Sequence, residues 1–226
     1  MTFSFSGFIK GFKSGIPIAV GVASYGIVFG VLSKQAGMEL IHSILMSAFV
    51  FAGASQFIAI EMWLTPLPIV TIIITTFVVN MRHILMGAVL VERFKELNLV
   101  QKYFSLFFLV DENWAYSLNE WKHGNQNAAL IAGTGFCIFL SWTISTGIGS
   151  ILGAGNIDPV KWGIDFAFTA IFIFLAMGMW RDKRDLIPWL VAAFAAVIVS
   201  RLFPGKWYIL AGSLTGSLAG VIIHDK

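Results

Sequence analysis

Within TTFVVNMRHILMGAVLV at residues 75–91, an otherwise apolar run, Asn80, Arg82 and His83 carry the only groups able to do strong polar chemistry. On a helix Asn80 and His83 lie three residues apart and share a face, an amide beside an imidazole. Arg82 is rotated well away from both and offers a fixed cation. A guanidinium at bilayer depth costs between ~3 and ~10 kcal/mol or more, depending on relief by water and snorkelling, so its retention points to an internal polar site. The competing reading ends the helix near Arg82, lets that side chain snorkel and makes His83 a satisfied core residue. The apolar ILMGAVLV that follows favours the internal site.

Negative charge to answer Arg82 is available in VDENW, where Asp111 and Glu112 are neighbours. Adjacent residues cannot face the same way on one helix, so at most one of the two answers Arg82, and the sequence leaves open which. A carboxylate balanced between desolvation and a nearby cation can exchange a proton, which makes the pair a coupling candidate. The alternative is an interfacial loop with solvated acids. A third constellation is AGASQF, with Gly53, Ser55 and Gln56 deep in an apolar run. Small residues allow a local helix break, and loosened backbone at the midplane presents N–H groups to a carboxylate. Ordinary small-residue packing is the other explanation.

These groups can form a site for a zwitterion between the first three apolar segments. Ser55, Gln56 and Asn80 would hold its charged end beside loosened backbone at Gly53 and Gly21, with Tyr25, Phe29, Phe51 or Phe57 against an apolar side chain. Arg82 with Asp111 or Glu112 would gate or couple, and His83 would relay a proton, since imidazoles titrate near neutral pH.

The elements that position them are membrane spans. Of 226 residues 58% are hydrophobic and 12% charged, with a mean hydropathy of +0.83, against roughly 25% charged in soluble domains. Uncharged runs of about 20 residues recur, long enough to cross ~30 Å of hydrocarbon as helices and too uniform for barrel strands. The expected fold is an all-α integral membrane protein, a single polytopic domain over residues 1–226, with about seven or eight helical segments, some broken or re-entrant. The segments fall near 14–33, 40–60, 67–91, 103–118, 128–152, 162–180, 186–200 and 207–223. The fourth is the weakest, because Asp111, Glu112 and Asn113 interrupt it. The first is read as a retained span, since no convincing signal-cleavage site follows it.

Eight full crossings divide Lys and Arg evenly between the two sides. Making one of the first three segments re-entrant and the fourth non-crossing would instead put Arg93, Lys95 and Lys102 on the inner side and restore a bias. Six tryptophans mark segment ends, whereas Trp114 and Trp142 do not. Gly212, Gly216 and Gly220 form a stripe on the last segment where another helix can approach, in this chain or another. Gly26 with Gly30 and Gly149 with Gly153 repeat that spacing more weakly.

The single cysteine, Cys137, excludes a disulfide framework and reads as a small buried hydrophobe. His42, His83, His123 and His224 lack ligand-like spacing, so no metal or other cofactor is expected. The scattered basic residues suit membrane-flanking loops and exclude a nucleic-acid face. No hydrolase or metalloprotease motif appears, which argues against an intramembrane enzyme. A channel or scaffold subunit remains the alternative to a carrier.

Taken in order, GIPIAVGVASYGIVFG, SAFVFAGASQFIAIEMW, VVNMRH and VDENWAYS resemble the AzlC family, the large subunit of bacterial branched-chain amino acid exporters. The likeness covers nearly the whole chain, and the GASQF and N-x-R-H segments are its most specific parts. It implies a multi-pass protein of the bacterial inner membrane that works with a small AzlD-type membrane subunit. It also implies export of leucine, isoleucine and valine, often methionine, driven by the proton motive force. Gly53, Ser55, Gln56, Asn80, Arg82, His83, Asp111 and Glu112 are the positions that match.

Overall fold

The computed structural model describes residues 1–63, 66–155, 173, 177, 180, 182–203 and 207–224. The segment expected at 162–180, with its Asp165, lies almost wholly outside them. The chain divides into two compact units, Met1–Leu67 with Val79–Asp165, and Pro68–Val78 with Phe166–Lys226.

In the first unit α1 (Phe5–Gln35) and α7 (Ala129–Gly153) lie side by side and run parallel. Both exceed the length needed to cross a membrane. α1 starts where the Ser4 hydroxyl accepts the Gly7 N–H at 3.2 Å. Small residues explain the approach. A Cβ at Gly11 would fall on the Leu130 carbonyl, one at Gly30 on that of Thr146, and one at Gly149 on that of Ile27. The close approach also puts carbonyls of α1 within reach of hydroxyls on α7. Thr134 Oγ1 donates to Gly11 O at 3.0 Å and Ser141 Oγ to Ala19 O at 2.6 Å. In lipid such close contact replaces the hydrophobic effect as the force joining helices. The weakly repeated glycine pairs at 26 and 30 and at 149 and 153 therefore find their use against each other's helix.

The expected segment over 40–60 is two short helices, α2 (Leu40–Phe49) and α3 (Gly53–Glu61), and that over 103–118 is likewise two, α5 (Leu99–Phe107) and α6 (Asp111–Lys122). Each pair folds back on itself. α2 leaves the C-terminal end of α1, where Ser43 Oγ is 2.7 Å from Ser33 Oγ, and descends to Phe51, whose ring packs on Phe139 of α7. α3 then returns, bringing the Gln56 amide within 3.1 Å of Ser47, a separation no straight nine-residue helical path permits. The second pair mirrors this from the opposite end. α5 enters beside Phe8, reaches Phe139 at Phe108, and α6 goes back to Lys10 and Asn127. Each of these four helices has 9–12 residues, too few to cross ~30 Å alone, which is compatible with the re-entrant arrangement that would restore a charge bias.

Between the hairpins α4 (Ile69–Arg93) is one uninterrupted helix, so the reading that ends it near Arg82 is overturned. From Arg82 onward it runs antiparallel to α1, and Met86 and Leu90 join a core with Phe94, Leu97, Leu109, Trp121, Leu130 and Ile131. The order broken pair, long helix recurs at an offset of about 58 to 60 residues, from Leu40 to Leu99, Gly53 to Asp111 and Ile69 to Ala129. No side-chain pattern at that spacing was legible in the sequence. What repeats is topology.

The second unit contains a helical pair, α8 (Leu186–Leu202) and α9 (Trp207–His224). They are antiparallel: Gly212 faces Ala192 and Ala196, Gly216 faces Ala192 and Pro188, and Gly220 faces Pro188. The neighbour of this glycine stripe is in the same chain.

Candidate functional site

The tips of the two hairpins, residues 50–52 and 108–110, meet near the centre of α7. Phe51 and Phe108 lie 6.5 Å apart, edge to face, and each packs on Phe139 at 5.2 and 5.3 Å. Phe139 is about 15 Å along the helix from the N-terminal end of α7 and about 21 Å from its C-terminal end, well inside ~30 Å of hydrocarbon. Two breaks in backbone hydrogen bonding thus sit where lipid offers no replacement partner. Phe51 adopts φ +42°, a strained conformation for a bulky residue, as a chain reversal between two helices demands.

One amide side chain stabilises each break. In the first hairpin Gln56 Oε1 accepts the Ala52 N–H at 3.2 Å and the Trp142 indole N–H at 3.1 Å, while its Nε2 donates to Ser47 Oγ, itself 2.9 Å from Thr146 Oγ1. In the second, Asn113 Oδ1 accepts the Val110 N–H at 2.9 Å, and its Nδ2 donates to the carbonyls of Phe108 at 2.6 Å and Ile131 at 2.9 Å. Both are fully buried. Either amide thus ties the loose end of its hairpin to α7, and deleting one strands two or three buried groups at about 1–3 kcal/mol each.

Gln56 accordingly spends its polar atoms inside the protein, and Phe57 is sealed against Phe29 and Trp142. Neither side chain reaches open space in the structure. Gly53, first residue of α3, rests on the Trp142 ring. The first turn of α3 carries no acid, and the Ser55 hydroxyl is buried without a partner.

Next to the second tip, Arg82 Nη1 is 2.6 Å from Asp111 Oδ2. Asp111, and not Glu112, answers Arg82, because α6 begins at Asp111 and directs that first side chain at α4. The pair is only partly covered, 33% and 45% exposed. Arg82 Nε, by contrast, is sealed with no acceptor. Glu112 lies within electrostatic range of Asp111 and Arg82, and of Tyr25 on α1. The structure therefore brings Arg82 and Asp111 into contact, with Glu112 within electrostatic range of both and Tyr25 within range of Glu112. Asn80 and His83 occupy the neighbouring face of α4, with His83 Nδ1 3.3 Å from the Asn80 carbonyl and Asn80 Oδ1 buried without a partner.

Sequence reasoning missed Asn113, Trp142, Ser47, Thr146, Phe108 and Phe139 as site-forming residues. For Trp142 a signal existed, since it is one of two tryptophans away from a segment end. At the N-terminal end of α1, Lys10 Nζ is 2.8 Å from Glu120, and this contact with that of Asn125 holds the Glu120 carboxyl below its usual range. The contribution of that exposed pair is present above the ordinary glutamate pKa and fades as pH falls through the depressed one.

The family model described as AzlC protein matches residues 17–155. A Helicobacter pylori (strain J99) protein named uncharacterized membrane protein is 28% identical over 97% of both chains. The Bacillus subtilis branched-chain amino acid transport protein AzlC is 27% identical, over 95% of this chain and 84% of its own. The Escherichia coli K12 inner membrane protein YgaZ is 27% identical, over 95% and 90%. No solved structure matches. With its multi-span helical fold and with more than half its length matched, from α1 through both hairpins to α7, this chain belongs to the AzlC family.

Proposed function

We propose that this chain is the large subunit of a branched-chain amino acid exporter of the bacterial inner membrane, driven by the proton motive force and working with a small AzlD-type subunit. One observation carries the reading: two hairpins enter from opposite ends of α1 and α7 and close on each other at mid-depth, beside an ion pair. A carrier needs a central site reachable from one side at a time. Two re-entrant tips, each tied to α7 by its own amide, can part separately, which a single continuous pore wall cannot do.

Phe51, Phe108 and Phe139 supply an apolar wall for an aliphatic side chain. One methylene changes binding there by only ~1–3 kcal/mol, so discrimination among leucine, isoleucine, valine and methionine is loose. Gly53, Ser55, Tyr25 and Asn80 line the polar side, Gln56 and Phe57 shape it from behind, and Arg82, His83, Asp111 and Glu112 couple cargo to protons. The relative named for branched-chain amino acid transport supports the substrate class.

Lys10, Lys13, Arg93, Lys95, Lys102 and Lys122 gather at the N-terminal end of α1, and Lys34 lies at the other. The positive-inside rule then turns the N-terminal end to the cytoplasm. In intact cells a cysteine at Gly37 is expected to react with an impermeant maleimide and one at Gly124 not to; the reverse labelling would invert the orientation.

The proposal is tested by labelled leucine efflux from proteoliposomes at imposed pH gradients, with and without the small subunit. Efflux that follows the gradient and accelerates with unlabelled leucine on the far side is the expected result. Flux without such acceleration would mark a channel, and no flux with both subunits present would remove the transport role.

A further inference from the structure

We propose that Arg82 is the anchor for the carboxylate of a zwitterionic amino acid, and that Asp111 is a built-in competitor occupying that anchor when cargo is absent. The idea deepens the transport reading and rests on it for the identity of the cargo.

The Arg82 guanidinium is only half used. Nη1 is bonded to Asp111, yet Nε–H is sealed from solvent with no acceptor among the described residues. An arginine presents its donors as a planar fork that suits both oxygens of a single carboxylate, and a buried charged donor left without a partner is costly. Asp111 satisfies one prong only. A ligand carboxylate that displaces Asp111, letting the guanidinium turn, can satisfy two.

Among the described residues nothing else fixes Asp111. The amino-terminal end of α6 is capped by Asn113, not by the aspartate, so its carboxylate can leave Arg82 without uncapping the helix. The pair is also partly open, at 33% and 45% exposed, unlike the closed amide clusters at Gln56 and Asn113. A permanent structural bridge at this depth would be expected to be enclosed.

The groups around the pair also suit a zwitterion. Glu112 is exposed, within electrostatic range of Arg82, and adjacent in sequence to Asp111. A zwitterion with its carboxylate on Arg82 would therefore find an anion for its ammonium. Phe108, three residues before Asp111, supplies the apolar neighbour for its side chain. Cation, anion and aromatic ring in that order fit an α-amino acid with an apolar side chain and do not fit an inorganic ion.

The experiment follows modification of Arg82 by phenylglyoxal in the purified full chain, read by peptide mass. Leucine and isovalerate are expected to slow it and leucinol, which lacks the carboxylate, to leave it unchanged. In Asp111→Asn the same protection should need at least about 10-fold less ligand, because the fraction of free anchor rises. Leucine is expected to protect at a lower concentration than isovalerate, and to lose that advantage in Glu112→Gln. Equal rates with and without carboxylates in the unmodified chain, or protection by leucinol equal to that by leucine, overturns the anchor even where leucine efflux is intact. Protection by isovalerate and glycine but not by leucine keeps the anchor and removes the branched-chain cargo instead.

Discussion

Leucine efflux from proteoliposomes is expected to stop when Arg82 is replaced by Gln, with the protein still inserted at close to its normal amount. Removing one member of a fully buried ion pair costs about 3–5 kcal/mol, because the other charge is left alone. Arg82 and Asp111 are a third to nearly half exposed, so the stability cost here is well below that figure. Loss of activity should therefore greatly exceed loss of protein. The double variant Arg82→Gln with Asp111→Asn separates the two roles. Neutral on both sides, it restores whatever stability the lone aspartate cost but supplies no cation for a carboxylate. It should melt like the unaltered protein and still move no leucine. Full efflux from the double variant would reduce the pair to a strut between α4 and α6.

Gly149→Ala is expected to remove folded protein from the membrane, whereas Gly87→Ala leaves it in place. A methyl group at Gly149 falls on the Ile27 carbonyl, backbone against backbone, while one at Gly87 meets nothing within 4 Å. No side chain can rotate away to relieve the first contact. α1 and α7 would have to separate along their length, taking with them the hydrogen bonds from Thr134 and Ser141. Overpacking of this kind costs about 3 kcal/mol or more, and both hairpins are anchored to α7. At Gly87 the exchange removes helix-weakening backbone freedom, a gain of up to ~1 kcal/mol. Membrane abundance and the melting temperature in detergent check both; equal abundance of the two variants would contradict the packing account.

Composition alone determined that the chain is helical and lives in a membrane, since 20-residue runs without charge have no other stable form in lipid. The polar constellations were visible for the same reason: Arg82, Asp111 and the GASQF stretch stand out against hydrocarbon-like neighbours. The segments at 128–152, 186–200 and 207–223 agree closely with α7, α8 and α9.

What the sequence left open required partners distant along the chain. A run such as 40–60 is apolar throughout whether it crosses once or turns back, and hydropathy is blind to direction. The reversal is set by Gln56 reaching Ser47 and Trp142, the last of them 86 residues away. Adjacent carboxylates are equivalent in a string of letters, and only the start of α6 at Asp111 aims one of them at Arg82. Gln56 looked like a ligand because an amide in an apolar run needs partners. Tertiary structure decided that those partners are the protein's own.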